Sequence, residues 1–230
     1  MEFSLHRQLK QHYAAGDAAC EVRLGNYRID VVRDGLLIEV QHSSLSAIRD
    51  KVGRLLEKHR VLVVKPIIRR KRLVVLRRKN ARRRVCRMSP KRGSLLDIFH
   101  ELIYFTHIFP HPRLSIDVVL VDVEEWRCPT RHRRQRRGRY RRDFDVEDQK
   151  LLDVCDVMRL RNAADLQALA PAALPSPFHT GHLAAALEVD RWVAQRVAYC
   201  YRKMGTATVV GKQRGAWLYE FAAAEKRRAA

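Results

Sequence analysis

Apolar residues recur along the first third of the chain with two different periods, and the change of period predicts the elements. Phe3, Leu5, Leu9 and Tyr13 return close to every 3.6 residues, with Lys and Gln between them, which predicts an amphipathic helix over 3–14 that ends at Gly16-Asp17. Three short runs then read as strands, 19–24, 27–33 and 36–41, joined by the turn dipeptides Gly25-Asn26 and Asp34-Gly35. Ser46 is placed to cap a helix with the apolar face Ile48, Val52, Leu55 and Leu56, ending near His59. The unbroken run 61–64 suits a buried strand closed by Pro66. Residues 67–92 predict a strand pair, Ser94 caps a helix carrying Leu95 to Phe105, and 114–123 is a further strand. Alternation of this kind predicts a mixed α/β core.

Beyond residue 145 the pattern turns helical. A helix is predicted over 146–160, a short one capped by Asn162, one capped by Thr180 over 181–187, and one capped by Asp190 over 191–204 that stops at Gly205. Two strand runs follow, 206–210 and 216–221, joined by Gly-Lys-Gln-Arg-Gly. The expected organisation is a domain over 1–127 with its core in 1–66, a linker over 128–145, a second domain over 146–222, and a tail over 223–230.

Charge changes this picture most. The 230 residues carry a formal charge of +21, but it is not spread evenly. Residues 65–92 hold 14 basic side chains and no acid, and residues 131–142 hold 8 arginines and no acid. With those two stretches set aside, the rest of the chain sums to −1. That distribution disfavours a uniformly basic coat and exceeds what an acidic small molecule needs. It points to a polyanion, with DNA the expected partner and RNA left open. No apolar run approaches 18 residues, so no membrane span is expected. The N-terminus lacks the pattern of a secretory leader. Five scattered cysteines without a CxxC pair predict reduced thiols and a cytoplasmic location, nucleoid-associated in a bacterium, and a homodimer stays open.

The candidate chemistry lies in the second and third strands. Asp30 stands in Arg-Ile-Asp-Val-Val, and Glu39 and Gln41 stand in Leu-Leu-Ile-Glu-Val-Gln. Residues i and i+2 of a strand share a face, so Glu39 and Gln41 project together, and a short turn brings Asp30 beside them. Two solvated strand acids are the plainer reading. An acid bracketed by Ile, Leu and Val is costly without a partner, however, and hard oxygen ligands suit Mg²⁺ or Mn²⁺.

Helix, three-stranded meander, helix and strand, with Asp on the second strand and Glu-x-Gln on the third, resembles the PD-(D/E)xK nuclease superfamily over about residues 1–66. The resemblance implies a restriction-endonuclease-like mixed sheet flanked by helices. It also implies an Mg²⁺-dependent (or Mn²⁺-dependent) DNA endonuclease, in which Asp30, Glu39 and the Val40 carbonyl hold the ion. Gln41 stands where most members have lysine, and Lys51 on the following helix is the candidate replacement cation. Glu2 and Glu21 are candidates for an added acid. His6 and Lys10, at i and i+4, share a helix face that could approach the cleft and are read as surface residues. Residues 146–222 resemble a winged helix-turn-helix domain, mainly helical. Val193, Val197, Cys200 and Met204 would face inward, with Arg191, Gln195, Arg196, Tyr199, Arg202 and Lys203 off that stripe. Arg191, Gln195, Arg196, Arg202 and Lys203 would then meet DNA, with Lys212 and Arg214 at the hairpin tip and Trp192 packed inside. Arg69, Arg70, Arg133, Arg134, Arg136 and Arg137 would grip the backbone. The rival is a DNA-binding or regulatory protein on an inactive nuclease fold, which Gln41 favours.

Overall fold

A computed structural model of the chain describes residues 3–76, 84–130 and 144–222. Seven strands form one sheet in the order β1 (Ala19–Leu24), β2 (Tyr27–Arg33), β3 (Leu36–Val40), β4 (Arg60–Leu76), β6 (Leu114–Pro129), β7 (Phe144–Leu160), with β5 (Arg84–Met88) paired to the far end of β4. The β3–β4 and β4–β6 pairs are parallel, and the others are antiparallel. The expected α/β class and mixed sheet are present.

Helices cover both faces. α1 (Ser4–Tyr13) sets Leu5, Leu9 and Tyr13 against Val31, Ile38, Val40, Leu62, Val64 and Val119. α2 (Arg49–Leu56), α3 (Phe99–Leu102) and the C-terminal helices cover Ile29, Leu37, Val61, Val63 and Ile116. Successive residues of β4 thus serve opposite cores, which is why 61–64 reads as unbroken apolar sequence. α2 follows a 3₁₀ turn over Leu45–Ile48, and that turn is capped by the Ser44 hydroxyl rather than by Ser46.

β4 does not stop at Pro66. The Gln41 N–H donates to the Val64 carbonyl, so even-numbered residues of β4 face β3. β3 ends opposite Val64, and the next even position, Pro66, therefore lacks its N–H only where no neighbouring strand could accept it. Beyond that point β5 takes the place beside β4, pairing from Arg72 to Leu76. The notch beside β4 between the end of β3 and the end of β5 is crossed at Gly93. Its N–H donates to the Arg69 carbonyl, and a Cβ there would stand 2.4 Å from the Ile68 carbonyl oxygen. Gly93→Ala should destabilise the fold by roughly 1–3 kcal/mol, the usual cost of overpacking. Urea melts read this directly, and an unchanged midpoint would contradict the close approach.

Residues 146–160, expected as a helix, are strand β7, and the second unit therefore does not begin at 146. Its pairing with β6 skips Glu147, Leu152 and Cys155, three bulges in one strand. Each bulge reverses the parity of the side chains, so Leu151, Val154 and Met158, all packed inward, recur three to four residues apart and imitate a helical period. The strand also fixes α1. The Asp148 carboxylate accepts from the Ser4 N–H (2.9 Å) and the Ser4 hydroxyl (2.7 Å), capping a helix whose own Phe3 cannot.

After β7 come α4 (Ala163–Gln167), α5 (Thr180–Ala186), α6 (Arg191–Lys203) and the hairpin β8 (Ala207–Gln213) and β9 (Ala216–Phe221). Asn162 caps α4 through the Asp165 N–H. The α5 cap is His179 rather than Thr180, its Nδ1 accepting from the Gly181 and His182 N–H groups. Arg214 and Gly215, both at positive φ, make the two-residue hairpin turn. The buried side of α6 is Ala194, Val197, Ala198, Cys200 and Tyr201 rather than a stripe including Val193, and Tyr201 meets Phe99 edge-on at 5.5 Å. The C-terminal helices thus share a core with α2 and α3.

Candidate functional site

β2 and β3 pair from Arg33↔Leu36 to Val31↔Ile38, and the regular ladder stops there. Asp30 and Glu39 are the next positions on each strand. The Asp30 carboxylate takes the place of the ladder by accepting from the Val40 N–H at 2.8 Å. The Asp30 N–H in turn faces the Glu39 carboxylate. In a strand the N–H and C=O of one residue leave by the same edge, so the Val40 carbonyl also faces this opening. Asp30 and Glu39 are therefore neighbours across the point where the ladder ends.

The two acids differ in electrostatic state. Burial pushes the Asp30 pKa up, but hydrogen bonds from His6 (3.3 Å) and Val40, together with the charge of Lys10, outweigh it and hold the group below the ordinary carboxylate value. Glu39, 5% exposed, is raised by burial and by the neighbouring Asp30 charge, with Lys51 opposing. Lys51 Nζ lies 2.6 Å from Glu39 Oε1 and also donates to the Arg28 carbonyl. Glu39 Oε1 is thus a buried oxygen held against the Lys51 ammonium. Lys51, the candidate cation of α2, is at the acidic pair.

Gln41 is beside the pair but engaged elsewhere. Its side-chain amide donates to the Ser43 hydroxyl (2.7 Å) and the Ser44 carbonyl (2.8 Å). The loop it braces is also held from β4. Lys65, 4% exposed, donates to the His42 and Ser43 carbonyls and pairs with Glu101, whose carboxylate accepts from the Leu45 N–H. Burial lowers the Lys65 pKa against the Glu101 charge, and burial with the Lys65 charge lowers that of His42. His6 and Lys10, expected at the surface, face the site from α1. Lys10 is 7% exposed and bonds Glu21, which also pairs with Arg28, so Glu21 is occupied by cations rather than aimed at the acidic pair. The usable signal for both was the i, i+4 spacing on a helix whose other face must pack on the sheet. Glu2 lies outside the described residues. Among the described residues no three His, Cys, Asp or Glu side chains gather as a metal-binding group.

Lys51→Met would strand the Glu39 charge. It should cost about 3 kcal/mol at neutral pH, the scale for removing one partner of a buried pair. The sign with pH is distinctive. A raised carboxylate pKa is a stability cost above that pKa, and the cost disappears as pH falls through it. Thermal unfolding should show the deficit shrinking towards acid, and a pH-independent deficit would refute the pairing.

The basic stretches attach at one end of the sheet. Leu76 pairs with Arg84, Pro129 pairs with Phe144, and Val75 of β4 lies beside Arg127 of β6. The segments 77–83 and 131–143 therefore depart from adjacent strand ends. Arg133, Arg134, Arg136 and Arg137 lie outside the described residues. The Arg-rich segment joins two strands of one sheet, so it is not the expected linker between domains. Arg69 is not a free cation: it forks onto Asp122 (2.9 and 2.7 Å). Lys71 and Arg72 likewise engage Glu125 and Glu124, while Arg70 is exposed. Arg191, Gln195, Arg202, Lys203, Lys212 and Arg214 are all exposed, whereas Arg196 is bound to His100 Nδ1 at 2.9 Å. Trp192, expected to pack, is 51% exposed.

Residues 3–161 match a family described as a domain of unknown function (DUF8091), a match that ends one residue past β7. The chain belongs to this family. An uncharacterized protein of Treponema pallidum (strain Nichols) is 33% identical over 220 residues, covering 95% of this chain and 84% of its own. No solved structure matches. Among the described residues of this DUF8091 member no helix is long and apolar enough to cross a membrane.

Proposed function

We propose that this chain is a divalent-ion-dependent endonuclease acting on DNA. The observation that carries the reading is the acidic pair: Asp30 and Glu39 brought together where β2 and β3 part, with the Lys51 ammonium against Glu39. Two carboxylates and a carbonyl are a hard-oxygen donor set that suits a divalent cation. Asp30, Glu39 and the Val40 carbonyl would hold Mg²⁺ or Mn²⁺. When bound, the ion would polarise a scissile phosphate and lower the pKa of water. The chain's own part is to favour the ionised form of Asp30 through His6, Val40 and Lys10, to set the Lys51 charge against the burial of Glu39, and to offer the Lys51 ammonium to the charge that develops at phosphorus.

The sheet beyond the pair fits a long polyanion. Glu39 lies beside Val63, and β4 continues to Leu76, about 43 Å further at the usual strand rise. That is roughly twelve base pairs at 3.4 Å each. A duplex lying along this extension would meet the acidic pair at one end and the cationic strand tips at the other. A winged-helix reading of 162–222 is supported by the order helix, strand, helix, helix, hairpin, with Phe178 bridging Tyr219 as the single-residue strand. Exposed Arg191, Gln195, Arg202 and Lys203 on α6 and Lys212 and Arg214 on the hairpin are its contact candidates.

The test is nicking of supercoiled plasmid with Mg²⁺ or Mn²⁺, compared with Asp30→Asn and Glu39→Gln. A second reading has its own support. Gln41 carries no charge and is turned into the 43–44 loop, which favours a DNA-binding protein that does not cut. Tight duplex binding in EDTA, with no nicking and no shift in melting temperature on adding Mg²⁺, would select it. Preference for duplex RNA at fixed salt would replace DNA in either reading.

A further inference from the structure

We propose that the groove between α3 and α6 captures unpaired nucleobases, so that the protein prefers DNA carrying a single-stranded tail. This rests on the nucleic-acid reading above and adds a substrate structure to it.

The groove encloses about 490 Å³ and is lined by Ile103, Tyr104, Trp192, Gln195, Arg196 and Tyr199. Trp192 is half exposed and Tyr104 is 44% exposed, unusual for the largest apolar side chains. The indole is nevertheless oriented. Its N–H donates to Asp190 (3.1 Å), His100 stacks on it at 5.1 Å and 17°, and the Arg196 guanidinium lies 5.1 Å from its centroid. Arg196 is itself fixed by His100. A rigid aromatic plane with open surface is a preorganised stacking site.

The lining decides between occupants. A groove for an apolar helix is lined by aliphatic and methionine side chains; this one has three aromatic rings, an amide and a guanidinium around a single isoleucine. Aromatic planes in a cationic groove are the recurring solution for single strands, because every base has a π-face and every nucleotide brings a phosphate. Trp192, Gln195 and Tyr199 stand one turn apart on α6, with exposed Arg191 and Arg202 beyond them. The seven helical steps from Trp192 to Tyr199 span about 10 Å, the rise of roughly three stacked bases. The amide of Gln195 can meet a base edge, and the arginines can meet phosphates. Strand ends, flaps and gaps supply such bases.

The experiment is fluorescence anisotropy with the full chain in EDTA, where no cutting occurs. A blunt hairpin duplex is compared at one salt concentration with the same hairpin carrying a six-nucleotide tail. The tailed form should bind about tenfold tighter or more, on the scale of one stacked base. Trp192→Ala with Tyr104→Ala should erase the difference and leave blunt-duplex affinity as it was, while Trp192→Phe retains most of the preference. Equal binding of both DNAs by the native chain overturns this inference alone. A double variant that weakens both DNAs in the same proportion also overturns it, because the groove then serves the fold or the duplex. If instead the native chain ignores the tail but takes up an apolar dye that the double variant loses, the groove is a protein-docking face. If neither DNA binds, the nucleic-acid reading falls together with this one.

Discussion

Asp30→Asn should reduce divalent-ion-dependent nicking by about 10³-fold or more, while the variant still folds and still binds duplex DNA. The size follows from the chemistry: losing one carboxylate from a two-carboxylate ion site removes about 4 kcal/mol of transition-state stabilisation, and 1.36 kcal/mol is a factor of ten. Asparagine is the informative replacement because Asp30 has a second task. Its carboxylate accepts from the Val40 N–H where the β2–β3 ladder ends, and an amide oxygen can still do so. Alanine would leave that N–H unmet, at about 1–3 kcal/mol, and would confuse damage to the fold with loss of the site. Acid titration separates the two acids further. Asp30 has a depressed pKa, so its contribution to stability is present above the ordinary aspartate value and is lost as pH falls through the depressed one. Asp30→Asn should remove that acid sensitivity. Glu39→Gln should do the opposite, relieving a cost that the native chain carries at neutral pH. Nicking that persists in both variants removes this pair from the mechanism.

The site was legible in the sequence to the extent that it depends on strand parity. Asp30 and Glu39 were placed by alternation and by a two-residue turn, both local properties, whereas Gln41, expected to project with Glu39, turns into the 43–44 loop. What surrounds the pair was not legible, because it comes from elements that meet it only in three dimensions. His6 and Lys10 belong to a helix whose position over β2 is set by Asp148, 144 residues after Ser4. Lys65 looks like the first residue of a basic run, yet it is buried against Glu101. The fold divides in the same way. β1 to β3 and the first turn-bounded part of β4 follow from periodicity and turn residues, whereas the run of β4 past Pro66 was not anticipated and β7 carries three bulges that scramble its alternation into a helical spacing. The charge count was also ambiguous. Arg69, Lys71 and Arg72 read as part of a free cationic surface, but Asp122, Glu124 and Glu125 on the neighbouring strand neutralise them. The run 131–142, in contrast, has no acid within it.

That redistribution leads to the second large effect. Changing Arg133, Arg134, Arg136 and Arg137 together to Ser should lower duplex affinity and flatten its salt dependence. Each phosphate neutralised adds about 0.9 to the slope of log affinity against log salt, so losing four contacts should reduce the slope by about 3 to 4. A native chain making six to ten such contacts would lose about 10³ to 10⁵ in affinity between 50 and 200 mM salt, and the variant correspondingly less. Arg69→Gln is the control, since its guanidinium already satisfies Asp122. It should leave the slope unchanged and instead destabilise the β4–β6 pair, because Asp122 loses the partner that holds its pKa low. The two variants carry different numbers of charges, so slope per charge removed is the quantity to compare. If Arg69→Gln changes it as much as each arginine of the 131–142 run does, binding responds to net charge alone. If only the four arginines of the 131–142 run change it, the polyanion is held by that run rather than by the strand surface of β4.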